Sequence, residues 1–100
     1  MPIRTYLFNT KVILKGISTW HIHIVGQVQG VGFRPFVYKQ AQRFGIAGRV
    51  NNTTDGVHIE FNANEALSKL FYEVILSEAP KLSHITSHSL KKTKPVIYNF

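Results

Sequence analysis

The chain has 100 residues, 44% of them hydrophobic, which suffices for one small domain with a single core but not for two. It contains no cysteine, which excludes a disulfide framework and a thiolate metal site, and no apolar stretch resembles a signal peptide or a membrane span. We therefore expect a cytoplasmic protein with no membrane contact, and the net charge of +7, from twelve lysines and arginines against five acidic residues, predicts an anionic ligand.

The first half of the chain predicts a strand, a glycine-rich loop and a helix. Residues 1–19 are expected to form an N-terminal extension, either poorly ordered or with an added edge strand at Val12 and Leu14, and residues 20–100 the domain itself. Apolar and polar residues alternate over 20–25, as in a half-buried strand. After the loop, Pro35 marks the expected first position of a helix. The apolar face of that helix is formed by Phe36, Val37, Gln40, Ala41 and Phe44.

The second half predicts a hairpin, a second helix and a final strand. Residues 46–52 and 57–61 read as two strands joined by a turn at 53–56. Asn62 and Glu65 resemble a capping box before a helix with one apolar face. That face is formed by Leu67, Leu70, Phe71, Val74 and Ile75. Residues 82–90 are strand-like, and 96–100 are compatible with a further strand. The order β-α-β-β-α-β predicts an α+β ferredoxin-like sandwich, an antiparallel sheet with two helices on one face.

The loop between the first strand and the first helix has the composition of an anion site. Glycines allow backbone N–H groups to approach a ligand, and the helix that follows adds its positive dipole end. An arginine at that end disfavours the helix unless an anion binds, and its planar head can hold two phosphate oxygens. We therefore predict that inorganic phosphate or sulfate binds this loop. Its residues are Val28, Gln29, Gly30, Val31, Gly32, Phe33 and Arg34.

The alternative from spacing alone is that the glycines only form a turn and Arg34 is solvated. A nucleoside-triphosphate loop is excluded because no Gly-Lys-Ser/Thr ending follows. A dinucleotide fingerprint is excluded because Pro35 stands where its third glycine belongs.

The loop resembles the signature of the acylphosphatase family, Gly-x-Val-Gln-Gly-Val-x-Phe-Arg, which runs here from Gly26 to Arg34. The longer stretch VQGVGFRPFVY is similar to the N-terminal acylphosphatase-like domain of hydrogenase maturation carbamoyltransferases, and the similarity continues through residues 48–57 and 79–85. The resemblance implies hydrolysis of an acyl phosphate, with carbamoyl phosphate as the substrate. It also implies other domains of a larger maturation protein as partners.

Hydrolysis of an acyl phosphate requires a held phosphoryl group, neutralised charge and an oriented water, because the leaving carboxylate needs no strong acid. Arg34 and the loop N–H groups suit the first two tasks. Asn52, at the end of the hairpin's first strand, is a neutral donor and acceptor that suits the third. In acylphosphatases the asparagine of a Gly-aromatic-Val-x-Asn segment orients the water, and the resemblance implies this role for Asn52. Arg49 replaces the aromatic residue, which puts the packing beside Asn52 in question.

Other functions remain open at this point. The nearest alternative is a stand-alone acylphosphatase of general specificity, and the next is an interaction domain with a degenerate site. An RNA-recognition module is disfavoured, because residues 55–61 lack the basic and aromatic residues of its third strand. His21 and His23 share a strand face, but no third ligand is evident. We therefore expect no metal, no organic cofactor and no nucleic acid.

Overall fold

The computed structural model describes residues 16–98. Their elements are β1 (Ser18–Gln27), α1 (Phe33–Phe44), β2 (Ala47–Thr53), β3 (Gly56–Ala63), α2 (Glu65–Ser77) and β4 (His84–Thr93). The four strands pair antiparallel in the order β2-β3-β1-β4. The predicted ferredoxin-like arrangement is confirmed. Neither helix within residues 16–98 has the length and the apolar run that crossing a membrane would require.

One face of the sheet forms the core together with both helices. Ile22 lies opposite Ile59 and Ile24 opposite Val57, and all four are at most 2% exposed, because apolar residues alternate along β1 and β3. The ring of Phe61 meets that of Phe71 edge to face, with centroids 4.9 Å apart. The other buried members of this cluster are Val28, Phe33, Val37, Ile46, Ala63 and Ile75.

The opposite face of the sheet is polar. His21 lies opposite Glu60 and His23 opposite His58, so that imidazoles and a carboxylate occupy the centre of this face. The segment after β4 also reaches it, since the main chain of Val96 bonds to the Thr19 hydroxyl. The further strand considered for residues 96–100 is not formed over 96–98, and residues 99 and 100 lie outside the described residues. The predicted edge strand near Val12 also lies outside them.

The N-terminal boundaries of β1 and α1 differ from those predicted. β1 begins at Ser18, two residues before the predicted start of the strand at residue 20, and Thr19 is buried. α1 begins at Phe33 because the Gly32 carbonyl already accepts a hydrogen bond from Phe36 N–H, at 3.2 Å. Pro35 therefore lies in the first turn, where its missing N–H removes no helical hydrogen bond.

The start and the buried face of α2 also differ. The capping residue is Asn64, whose side chain accepts a hydrogen bond from Leu67 N–H, whereas Asn62 belongs to β3. Leu70 is 46% exposed, and Ser68 is fully buried in its place. The buried stripe is centred on Phe71 and its neighbours one turn away, which places Leu70 at the rim.

Candidate active site

The loop that joins β1 to α1 is anchored at both ends by core side chains. Val28 is 1% exposed and Phe33 is 2% exposed. The Phe33 ring also packs edge-on against Phe36, with centroids 5.8 Å apart. Since these apolar side chains turn into the core, the loop presents its backbone and its polar side chains outward.

Two glycines shape the loop between these anchors. Gly30 and Gly32 have φ angles of 72° and 80°, in the left-handed region that other residues rarely adopt. A methyl group built on either residue would meet no atom within 4 Å. Neither glycine is therefore required by packing. Both are required by backbone conformation, and the space beside them is open to a ligand.

The N–H groups of the loop have no competing acceptors within the described range. None of the amides of residues 29–34 donates to another backbone carbonyl there. The first turn of α1 contains no acidic residue, and no side chain caps it. The positive end of the helix dipole and its free donors are thus uncompensated, which is the arrangement that binds phosphate at helix N-termini.

Arg34 adds a full positive charge at the same place. It is the second residue of α1, it is exposed, and it forms no hydrogen bond or ion pair with any described residue. A cation near a helix N-terminus is unfavourable by roughly 0.3–1 kcal/mol. A bound anion would reverse the sign of that interaction and could accept two guanidinium hydrogen bonds.

Asn52 holds an unsatisfied buried acceptor. Its Oδ1 is buried and accepts no hydrogen bond from the described residues. An unpaired buried polar atom typically costs about 1–3 kcal/mol of folding free energy, so we expect an acceptor of this kind to bind a water or a ligand. The neighbouring Asn51 pairs with His58, lies on the other face of the sheet and is exposed. Asn52, in contrast, pairs with Val57 and shares its face of the sheet.

A hydrogen bond joins the loop to the strand that carries Asn52. Gln29 Nε2 donates to the carbonyl oxygen of Thr53 at 2.7 Å, one residue beyond Asn52. The fold therefore places the loop of residues 28–34 next to the end of β2. Sequence reasoning included Gln29 in the loop without a role for its side chain, because the acceptor is a main-chain atom 24 residues away.

Arg49, which replaces the family's aromatic residue, lies on the face away from Asn52. Its Nε and Nη2 atoms donate to Glu60 Oε1 at 3.0 and 2.8 Å. Burial alone would raise the pKa of Glu60, but the hydrogen bonds from Arg49 and from the Tyr98 hydroxyl outweigh it and lower that pKa. The substitution thus places an ion pair on the polar face, and Asn52 does not take part in it.

Two further features lie apart from this site. A mostly apolar cavity of about 130 Å³ between α1 and β2 is lined by residues such as Val37, Ala41 and Val50, and by neither Arg34 nor Asn52. On the polar face, the register of β1 and β3 brings His58 beside His23, close to the turn that joins β2 to β3. The sequence alone offered no further ligand for the β1 histidines.

Comparisons with known proteins match most of the described residues. The acylphosphatase family model matches residues 20–99. An acylphosphatase of Staphylococcus aureus is 36% identical over 72 residues, which are 72% of this chain and 81% of that protein. The carbamoyltransferase HypF of Synechocystis sp. is 44% identical over 64 residues, 64% of this chain but 8% of that protein. A crystal structure of full-length HypF, in a phosphate- and nucleotide-bound form, has a TM-score of 0.78 at 36% identity, covering 82% of this chain and 11% of that one.

Proposed function

The chain belongs to the acylphosphatase family, and on this premise we propose that it hydrolyses an acyl phosphate at the site formed by residues 28–34 and Asn52. The observation that carries the proposal is the buried Oδ1 of Asn52 at the end of β2, which accepts no hydrogen bond from residues 16–98. It lies beside a loop whose N–H groups have no backbone acceptor in the same range. A water that donates a hydrogen bond to this oxygen would satisfy it and would be fixed in position.

The proposed reaction is a direct transfer of the phosphoryl group to water. The loop N–H groups and Arg34 bind the phosphoryl oxygens and neutralise their charge. Asn52 Oδ1 accepts a hydrogen bond from the water, which aims a lone pair at phosphorus opposite the leaving oxygen. The bond from phosphorus to the acyl oxygen breaks, and the carboxylate leaves with the electron pair. The attacking water loses its protons to solvent and phosphate as the new bond forms.

The proposed mechanism requires no side chain to act as a strong acid or base. A carboxylate is already a good leaving group, and phosphoryl transfer proceeds largely through positioning and charge stabilisation. Arg34 supplies permanent charge, since a guanidinium is not deprotonated in proteins. The proposed hydrolysis therefore requires no metal ion and no organic cofactor.

We assign carbamoyl phosphate as the substrate, in the context of a larger maturation protein. The assignment rests on the similarity to HypF, of which this chain spans about a tenth. The similarity to acylphosphatases of about this length supports the second candidate, a stand-alone enzyme of general specificity. A cytoplasmic location accords with either assignment.

The test is an activity assay on the chain with carbamoyl phosphate and a simple acyl phosphate, both in excess chelator. We expect hydrolysis of both, with the higher kcat/KM for carbamoyl phosphate. Equal kcat/KM values would favour the general enzyme. Activity that disappears with the chelator would contradict the mechanism, and no activity in a folded, phosphate-binding sample would indicate a degenerate interaction domain.

A pair of variants separates Asn52 from its neighbour. Asn52→Ala removes the water ligand, so kcat should fall about a hundredfold or more while phosphate affinity changes little. Asn51→Ala is the matched control, because this asparagine is exposed on the opposite face. Its kcat should stay within twofold of the unmodified chain. Similar losses in both variants would contradict the assignment of the water to Asn52.

A further inference from the structure

The polar face of the sheet carries a second cluster of reactive side chains, formed by His23, Asp55 and His58. His23 on β1 lies directly opposite His58 on β3. Asp55 belongs to the turn between β2 and β3, immediately before β3 begins. One potential ligand atom from each residue lies within 4.8 Å of the other two. The three residues come from separate parts of the chain, and their proximity is a product of the fold.

The two imidazoles present the same atom to the aspartate. Their rings stack with centroids 4.3 Å apart and an interplanar angle of 11°. His58 Nε2 lies 2.9 Å from Asp55 Oδ1. His23 Nε2 lies 2.8 Å from the Asp55 carbonyl oxygen and 3.8 Å from Oδ2. Two ring nitrogens and a carboxylate thus converge on one point.

These distances match the spacing of ligands around a small metal ion. Zinc binds imidazole nitrogen and carboxylate oxygen at about 2.0–2.2 Å in a tetrahedron, which separates neighbouring ligand atoms by about 3.3 Å. His58 Nε2 lies 2.9 Å from Oδ1 and His23 Nε2 lies 3.8 Å from Oδ2, so the two nitrogens face different oxygens of one carboxylate, at distances on either side of that value. Coordination through a single oxygen therefore requires the Asp55 carboxylate to rotate.

We propose that His23, Asp55 and His58 bind one divalent transition-metal ion of the zinc type. The ligands are the two Nε2 atoms and one carboxylate oxygen, which leaves a fourth position for water or an external ligand. Imidazole nitrogen suits zinc, cobalt, nickel and copper, whereas magnesium and calcium require oxygen ligands. The chemistry of the three side chains thus selects the class of ion.

The surroundings hold the proposed ligands in position. The Asp55 carboxylate accepts a hydrogen bond from the Thr53 hydroxyl. His21 Nε2 lies 2.8 Å from His58 Nδ1 and is placed to accept a hydrogen bond from it when His58 Nε2 binds the ion. Partners of this kind orient the histidine ligands of metal sites.

The bonding change is balanced within neutral rings. Metal–nitrogen bonds replace the hydrogen bonds that the two Nε2 atoms now make with Asp55. As each metal–nitrogen bond forms, the neutral ring gives its Nε2 proton to solvent and takes up one proton from solvent on Nδ1, and the Nδ1–H of His58 then donates a hydrogen bond to His21. None of the three ligands is a residue proposed for phosphoryl transfer, so metal binding is measured by itself and not through activity.

Cobalt(II) is the spectroscopic probe for this site, with zinc as the competitor. The chain is prepared without an affinity tag, stripped with chelator, dialysed and titrated with Co²⁺. We expect one equivalent to bind with visible absorption bands typical of four-coordinate cobalt, and one equivalent of Zn²⁺ to abolish them. No saturable absorption, or a stoichiometry well below one, would overturn the proposal.

Variants assign the ligands. His23→Gln, Asp55→Asn and His58→Gln should each weaken Co²⁺ binding at least tenfold. His84→Gln is the control, because His84 is an exposed histidine on β4 outside the cluster. Its affinity should stay within twofold of the unmodified chain, and an equal loss in this control would overturn the assignment.

A measurement on the unmodified chain guards against variants that fail to fold. Zn²⁺ should shift the NMR signals of the His23 and His58 rings and leave those of His84 and His88 unchanged. Shifts confined to His84 or His88 would contradict the site independently of any substitution.

Discussion

Arg34→Ala should stabilise the ligand-free domain while it abolishes most phosphate binding. The side chain forms no hydrogen bond or ion pair with the described residues, so its removal costs no contact there. It stands at the positive end of α1, where a cation is unfavourable by roughly 0.3–1 kcal/mol at low salt. Alanine also has the higher helix propensity, by a few tenths of a kcal/mol. The free energy of unfolding should thus rise by about 0.5 kcal/mol or more.

Arg43→Ala is the matched control, because it removes the same charge from the other end of the same helix. Arg43 lies 3.5 Å from Glu78 and stacks over the Phe44 ring at 5.1 Å. Exposed contacts of these kinds contribute about 0.2–1 kcal/mol each, and a cation is favourable at a helix C-terminus. The free energy of unfolding should therefore fall by about 1 kcal/mol. Two variants of equal net charge should move in opposite directions.

The assay is thermal unfolding in a low-salt, phosphate-free buffer and again with saturating phosphate. A change of 0.5 kcal/mol corresponds to roughly 2–4 °C in a domain of this size. Phosphate at a hundred times its dissociation constant adds about 2.7 kcal/mol to the unmodified chain and to the Arg43 variant. The Arg34 variant should lose most of that gain. The reasoning is refuted if Arg34→Ala lowers the melting temperature without phosphate and keeps the full stabilisation with it.

Two further predictions concern the loop and the ion pair on the polar face. Gly30→Ala should cost about 1–2 kcal/mol of unfolding free energy through its positive φ alone, because no atom lies near the added methyl group. Phosphate affinity should fall as well, and an unchanged affinity would argue against the loop. The pKa of Glu60 is lowered in the folded state, so the unfolded chain takes up its proton first as the pH falls. This stabilisation is complete at neutral pH and is lost below the ordinary glutamate pKa of about 4.5. Urea unfolding at a series of pH values should show that the free energy of unfolding falls less steeply with decreasing pH in Glu60→Gln than in the unmodified chain.

The order of the elements could be predicted from the sequence because it depends on local patterns. Alternation over residues 20–25 and 57–61 identifies β1 and β3, since each has one face in the core. Element ends were less accurate where a local signal had two meanings. Pro35 can occupy any position of the first turn, and the structure places it at the third, after Phe33 and Arg34.

Interactions between distant residues could not be read from local patterns. Asn62 resembled a helix cap, but its side chain bonds to Thr19, 43 residues away, and to the carbonyl of Val96, 34 residues away. The cluster around His23 depends likewise on the pairing of β1 with β3, which brings Asp55 within reach over 32 residues. Once the hairpin turn is predicted, the spacing of Asp55 and His58, three residues apart, is the sequence pattern that indicates two neighbouring metal ligands.

The most direct test of the proposed phosphate site is an NMR titration of the isotope-labelled chain with inorganic phosphate. Saturable shifts should cluster on the amides of residues 28–34 and on the side-chain amide of Asn52, because we propose that the loop N–H groups, which have no backbone acceptor within residues 16–98, bind the anion beside Asn52. Shifts that cluster instead on Lys91, Lys92 and Lys94, without saturation at the loop, would contradict the account.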